Sequence, residues 1–210
     1  MYRTAITEMP VKEKVASIKA KENYTQIEEM PETYKNAVIA VEDRRFYLHN
    51  GVDVIAISRA ILNDIKARAL IEGGSTITQQ LAKNIYFTQK KELTRKIAEI
   101  FMAFELEKAC SKDEILELYL NTSYFGDGYY CVGDAAQGYF GKKPSEMTLY
   151  ESTLLAGIPN APSVYAPTKN PDLATQRQRQ VLEKMVECGY LTEDNAISVM
   201  AEAEEFLKES

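Results

Sequence analysis

The chain has 210 residues, enough for one large domain or one domain with a small lobe. A hydrophobic share of 45% beside 27% charged residues excludes wholesale disorder, and a net charge of −6 argues against general nucleic-acid binding, which needs surplus Lys and Arg. The longest apolar runs, Ala37 to Val41 and Ile100 to Phe104, fall far short of the roughly 20 residues of a membrane-spanning helix. Met1 to Pro10 is too mixed for a signal peptide. Composition alone reads as a cytosolic globular protein.

Helical periodicity dominates. The strand signals are confined to Val11 to Ile18 and Tyr24 to Ile27. The segment AVIAVEDRRFYLHNG then runs five apolar residues into Glu42 and Asp43. Val54, Ile57, Ile61 and Ile65 share one helical face, and Asp53 stands where it caps that helix. In GGSTITQQLAKN, Gly73 and Gly74 permit close backbone approach and Ser75 is placed to cap the next helix. Tyr86 to Lys91 is polar and aperiodic. Leu93, Ile97, Ile100 and Phe104 are the expected inward stripe of a helix from about Lys90 to Ala109.

Further along, Ser111 with Glu114 is a capping box opening a helix whose Ile115, Leu118 and Tyr119 face inward. Asn121 to Lys143 reads as a long irregular loop, with Gly126, Gly128, Gly133, Gly138 and Gly141 among aromatics. Thr148 with Glu151 is a second box, and Pro159 and Pro162 stop that helix. Ala161 to Pro171 is a proline-punctuated connection. Two last helices cover about Pro171 to Cys188 and Glu193 to Lys208, separated by Gly189 and the Thr192 cap. The class is mainly α.

Cys110, Cys131 and Cys188 are odd in number and far apart, so they read as buried or half-buried free thiols rather than a disulfide framework or a zinc site. A single histidine, His49, removes His-rich metal sites and HExxH chemistry, and Ser75 lacks a GxSxG setting. Carboxylate acid–base chemistry is the leading enzymatic option. Glu42, at the end of a buried run, is partly desolvated, which suits a general base; equally, Glu42 and Asp43 begin an ordinary turn after a core helix. Gln79 and Gln80 offer amides that suit sugar hydroxyls. Lys83, Lys90, Lys91, Arg95 and Lys96 face a single acid, Glu92, a surplus that suits a phosphate or pyrophosphate, or else a solvated face with i,i+4 pairs. Glu99 is either a second catalytic carboxylate or the partner of Arg95. Tyr119 and Asn121 lead into the Gly-rich segment and suit a carbohydrate site, although core packing explains Tyr119 as well.

Together these segments resemble the glycosyltransferase family 51 domain of class A penicillin-binding proteins and monofunctional transglycosylases. Glu42-Asp43-x-x-Phe46-x-x-His49-x-Gly51 is similar to its first motif and Gly74-Ser75-Thr76 with Gln79-Gln80 to its second. Arg95-Lys96-x-x-Glu99 resembles the third and Lys112-x-x-Ile115-Leu116-x-x-Tyr119-Leu120-Asn121 the fourth. Leu155-Ala156-Gly157-x-Pro159-x-Ala161-Pro162 corresponds to the fifth. The resemblance covers about Pro31 to Pro167, in the family's order, and the tail from Asn170 to Leu207 resembles the helical end of the domain.

The resemblance implies one glycosyltransferase domain over the whole chain, with a lysozyme-like large lobe and a smaller jaw lobe beside the membrane. It implies polymerisation of lipid II into β-1,4-linked glycan with inversion and release of undecaprenyl pyrophosphate, at the extracytoplasmic face of the bacterial cell membrane. Glu42 would be the general base and Glu99 would sit on the donor side, positioning the diphosphate or a divalent metal (Mg or Mn) bound to it. Ser75, Gln79, Gln80, Lys83, Arg95, Lys96 and Asn121 would bind substrate. Asp43, Phe46, His49, Gly51, Gly74 and Tyr119 would shape the cleft. The implied partners are lipid II, the growing lipid-linked glycan, the membrane and phosphoglycolipid inhibitors; no organic cofactor and no nucleic acid is implied.

Glu72 and Cys131 depart from the family's usual glutamine and glycine. The family's usual transmembrane anchor and a following transpeptidase domain are both missing, so the expectation is a domain without its anchor. The competing readings are a lysozyme-like hydrolase, which has no use for the basic stretch, and a non-catalytic binding module, whose mark would be loss of Glu42 or Glu99.

Overall fold

The computed structural model describes residues 2–59, 74–87 and 93–209. They are mainly helical, as expected, and among the described residues there is no β-strand. The helices are α1 (Tyr2–Glu8), α2 (Val11–Lys19), α3 (Glu32–Glu42), α4 (Ile77–Tyr86), α5 (Leu93–Ala109) and α6 (Lys112–Leu120). They continue as α7 (Val132–Phe140), α8 (Leu149–Gly157), the short α9 (Pro162–Tyr165), α10 (Pro171–Glu187) and α11 (Glu193–Glu209). The chain forms two compact units, Met1–Ala20 with Arg45–Tyr119, and Lys21–Arg44 with Leu120–Ser210.

In the first unit α5 is the central strut, with α4 along it and α1 and α2 also against it. The buried face of α5 is Ala98, Glu99, Met102, Ala103 and Leu106. Two members of the expected stripe turn the other way: Ile97 is 51% exposed and Phe104 39%, while Ile100 is half-buried. This helix is apolar on two sides, so periodicity could not choose between them. The small Ala98 and Ala103 decide the matter, because they let neighbouring helices approach closely.

Val11 to Ile18 is helix α2 rather than a strand. Its apolar residues Val11, Val15 and Ile18 recur at i, i+4 and i+7, and Val15 and Ile18 are buried. Residues 24–26 are irregular and lead into a 3-10 turn, Ile27–Glu29, so the second strand signal also fails. Asp53 caps residues 54–59 as expected, accepting from the N–H groups of Ile55 (2.9 Å) and Ala56 (3.0 Å). Val54 nevertheless faces outward, and Ile61 and Ile65 lie outside the described residues. So does most of the aperiodic stretch Tyr86 to Lys91. Ser111 accepts from the Glu114 N–H at 3.2 Å to open α6, whose Ile115, Leu118 and Tyr119 are buried as expected.

In the second unit α3 packs on α8 and α10, and α10 packs on α8 and α11. Tyr34, Val38, Ile39, Leu155, Val181 and Leu182 fill the space between them, each worth about 1.5–3 kcal/mol when fully buried. The Thr148 box closes reciprocally: Glu151 accepts from the Thr148 N–H (2.7 Å) and Thr148 Oγ1 from the Glu151 N–H (3.2 Å). The last two helices break at Gly189 and restart with Thr192 accepting from the Asn195 N–H at 3.3 Å.

The expected loop from Asn121 to Lys143 contains a helix, α7. Cys131 is its N-cap, with Sγ accepting from the Asp134 N–H at 3.4 Å, and Val132, Ala135 and Ala136 are its buried face. Glycine in this helix serves close approach rather than irregularity. A Cβ on Gly138 would lie 2.1 Å from Cζ of Tyr129, whose ring is edge-on to Tyr139 at 5.0 Å. Gly138→Ala gains helix propensity of about 1 kcal/mol but drives a methyl into that ring, with an overpacking cost of about 1–3 kcal/mol. A lowered urea midpoint is expected; a midpoint at or above wild type would show that the ring yields freely.

Candidate active site

The first unit gathers most of the expected polar residues around the start of α4. Thr76, not Ser75, is the N-cap. Its Oγ1 accepts from the Gln79 N–H (3.1 Å) while Gln79 Oε1 accepts from the Thr76 N–H (3.0 Å). Only the Thr76-x-x-Gln79 spacing closes such a box; the residue three after Ser75 is Thr78, which cannot return the bond. The Gln79 amide oxygen is therefore committed to the backbone and its side chain is buried. Thr76 Oγ1 also donates to the Gly51 carbonyl at 2.6 Å. Gly51 has φ +86°, and a Cβ there would sit 3.2 Å from the backbone of Ala103, so this turn lies directly on α5. Gly74 is half-buried just before the cap, and Gly73 lies outside the described residues.

Freed from capping, Ser75 Oγ accepts from Lys96 Nζ at 2.6 Å. Lys96 Nζ also stands 3.1 Å from Glu99 Oε2, and Arg95 Nε stands 2.9 Å from Glu99 Oε1. Glu99 itself is 2% exposed. Ser75, Lys96, Glu99 and Arg95 thus form one continuous cluster in which two cations share one buried carboxylate, leaving a net positive charge. Gln80 Oε1 accepts from the Tyr119 hydroxyl at 3.2 Å, and Lys83 is half-buried on the same helix, α4. Lys90, Lys91 and Glu92 lie outside the described residues.

Phe46 is fully buried, with Lys112 Nζ 4.5 Å from its ring centre and the His49 ring edge-on at 6.3 Å. Lys112 donates to Glu107 at 2.7 Å, and Thr78 donates to the same Glu107 oxygen at 2.6 Å. Glu107 and Thr78 escape sequence reading because their partners lie on different helices and no local spacing announces the pairing. Asp53 is a further buried carboxylate, 3.0 Å from Arg45 Nε.

The second unit holds Glu42, Asp43 and Asn121. Glu42 ends α3 with its side chain 8% exposed, and Asp43 behind it is buried. Arg177, which sequence reading did not single out, stands on α10 with Nη2 3.5 Å from Glu42 Oε1. Asn121, expected at substrate, is buried: its amide donates to the Thr25 carbonyl and accepts from the Thr25 N–H, both at 2.8 Å. A side-chain amide matches a peptide group in donor and acceptor, so Asn121 clamps the chain around Thr25.

Glu99 does not fit a divalent metal. Two cations already sit within about 3 Å of its oxygens and would repel a third. Among the described residues no group of three His, Cys, Asp or Glu side chains could hold such an ion. The cysteines are free thiols, as expected, and burial pushes all three upward, Cys110 to about 12.

A family model described as Transglycosylase matches residues 11–186. Penicillin-binding protein 1A of Neisseria flavescens is 46% identical over 169 residues, which are 80% of this chain and 21% of that protein. Penicillin-binding protein 1A of Aquifex aeolicus is 47% identical over 169 residues (80% and 23%), and penicillin-binding protein 1F of Bacillus subtilis 45% over 172 (82% and 24%). A crystal structure of penicillin-binding protein 1A from Haemophilus influenzae matches at a TM-score of 0.40 and 30% identity, over 59% of this chain and 15% of that one. The chain spans less than a quarter of the length of these relatives.

Asp53 makes the first unit sensitive to acid. Burial alone would raise its carboxyl, but the N–H groups of Ala56 and Ile55, the Arg45 guanidinium and His49 outweigh burial and hold it below its ordinary 3.8. A depressed carboxylate stabilises the fold above its unfolded value, and that contribution vanishes as pH falls through the lower folded value. The urea midpoint should therefore drop as pH falls below 3.8. Asp53→Asn should start lower and lose less over that window; an equal loss in both proteins would refute this role.

Proposed function

The chain belongs to the transglycosylase family, and from that premise we propose that it is a peptidoglycan glycosyltransferase of bacterial cell wall synthesis. It joins lipid II to a growing lipid-linked glycan through a β-1,4 bond, with undecaprenyl pyrophosphate leaving. The observation that supports this reading most directly is the cluster of Ser75, Lys96, Glu99 and Arg95. A departing pyrophosphate gathers negative charge, and cations already held in place stabilise it without reorganising during the reaction. Glu99 serves by holding Arg95 and Lys96, and Lys83 adds a further cation. A glycan hydrolase has no diphosphate to accommodate, so this cluster favours transfer over cleavage.

In this reading Glu42 takes the proton from the acceptor 4-hydroxyl as the new bond forms. Attack opposite the leaving pyrophosphate inverts the anomeric centre. Phosphoglycolipid inhibitors would compete for the Arg95 and Lys96 charge. The exposed apolar residues Ile97, Phe101 and Phe104 of α5, with Val54 and Ile55, suit a substrate embedded in a bilayer. They fit work at the extracytoplasmic membrane surface, even though no described helix is long and apolar enough to cross a membrane.

Glu42→Gln keeps the shape and removes the base, so polymerisation of lipid II should fall by about 10²- to 10⁴-fold while the helical fold is retained. Polymerisation at the wild-type rate would overturn the assignment of Glu42. Release of fragments from purified glycan without lipid II consumption would overturn glycosyl transfer itself. Arg95→Ala and Lys96→Ala should each weaken binding of pyrophosphate-bearing ligands by roughly tenfold or more, the scale of a charge-assisted hydrogen bond. Unchanged affinity in both would reduce the cluster to a structural ion pair.

A further inference from the structure

Arg177 is held from several sides within the second unit. Its Nε donates to the Gly157 carbonyl at 3.4 Å and its Nη1 to Gln180 Oε1 at 2.9 Å. The guanidinium carbon lies 5.8 Å from the centre of the Tyr165 ring. Its Nη2 is then left 3.5 Å from Glu42 Oε1, in a pocket where the two side chains are only 12% and 8% exposed. Gly157 makes this route possible, because a Cβ there would lie 2.9 Å from Cγ of Arg177. Three elements therefore converge on one guanidinium, and that guanidinium meets the carboxylate at the end of α3.

We propose that Arg177 is the positioning residue for Glu42, and that the Gly157-to-Tyr165 segment reaches the reaction through it. This rests on the reading of Glu42 as the general base. A carboxylate at a helix end can rotate about its last bond, and only some rotations aim an oxygen at an incoming hydroxyl. Drawing Oε1 toward a fixed guanidinium sets that rotation and so the direction of the second oxygen. Gly157 leaves room for the Arg177 stem, and the Tyr165 face backs the planar head. Lysine would supply the charge without the planar fork that meets the Gly157 carbonyl and Glu42 together.

The test is steady-state lipid II polymerisation by wild type, Glu42→Gln, Arg177→Ala, Arg177→Lys and Gly157→Ala, each with its thermal midpoint. For Arg177→Ala, kcat should fall roughly 10- to 100-fold, the cost of misplacing a reacting group by about 1 Å. KM should stay within about threefold, because the ground-state contacts to substrate are untouched. Millimolar guanidinium should restore Arg177→Ala severalfold and leave wild type unaffected. Arg177→Lys should fall between the two. Gly157→Ala, which displaces an intact Arg177, should lower kcat without being rescued by guanidinium. Wild-type kcat in Arg177→Ala beside an inactive Glu42→Gln would overturn this inference and leave the function standing. A loss in Arg177→Ala that tracks its thermal midpoint and resists guanidinium would also overturn it, by making Arg177 merely structural. An active Glu42→Gln would instead overturn the reading of Glu42 on which it rests.

Discussion

An ionised carboxylate withdrawn from water costs several kcal/mol unless a cation stands beside it, and several described carboxylates are nearly buried. Glu99 takes Arg95 and Lys96, Glu107 takes Lys112, and Asp53 takes Arg45. In the second unit Glu42 takes Arg177. Arg95, Lys96 and Glu99 lie on one helix, whereas Glu42 and Arg177 join α3 to α10. Removing one partner of that last pair strands a buried charge, at a cost of about 3–5 kcal/mol. Such pairs contribute little net stability over an apolar replacement.

The consequence is most visible on α5. Turning Glu99 inward places Arg95 and Lys96 on the rim of the buried face, from which Lys96 reaches Ser75. It also sends Ile97, Phe101 and Phe104 outward. One helix thereby presents fixed positive charge in one direction and apolar surface in another. Thr76 takes over the cap from Ser75 in the same arrangement, leaving the serine hydroxyl for the lysine.

Much of the fold was legible in short-range pattern. The Thr148-x-x-Glu151 box, the Asp53 cap, the proline stop after α8 and the turn at Gly189 all rest on contacts within a few residues, and all stand. The misreadings differ in cause. The helical period of Val11, Val15 and Ile18 stands in the sequence itself, whereas the inward face of α5 and the helix α7 depend on what packs alongside. Gly138 reads as a loop residue in sequence, whereas in the fold it sits in α7 with Tyr129 lying across it.

The candidate site divides in the same way. Residue type and spacing along the chain determined the class, the five motifs and the carboxylates and cations worth attention, because side-chain chemistry and helical period are properties of the chain itself. Tertiary structure alone decided what each of those groups touches. Gln79 and Asn121 carry amides suited to a sugar, yet both are occupied by backbone. Arg177 carries no local signal, lying 135 positions from Glu42 in the sequence. Charge pairing and close packing act through space, and folding brings together residues whose separation along the chain leaves no trace in any local pattern.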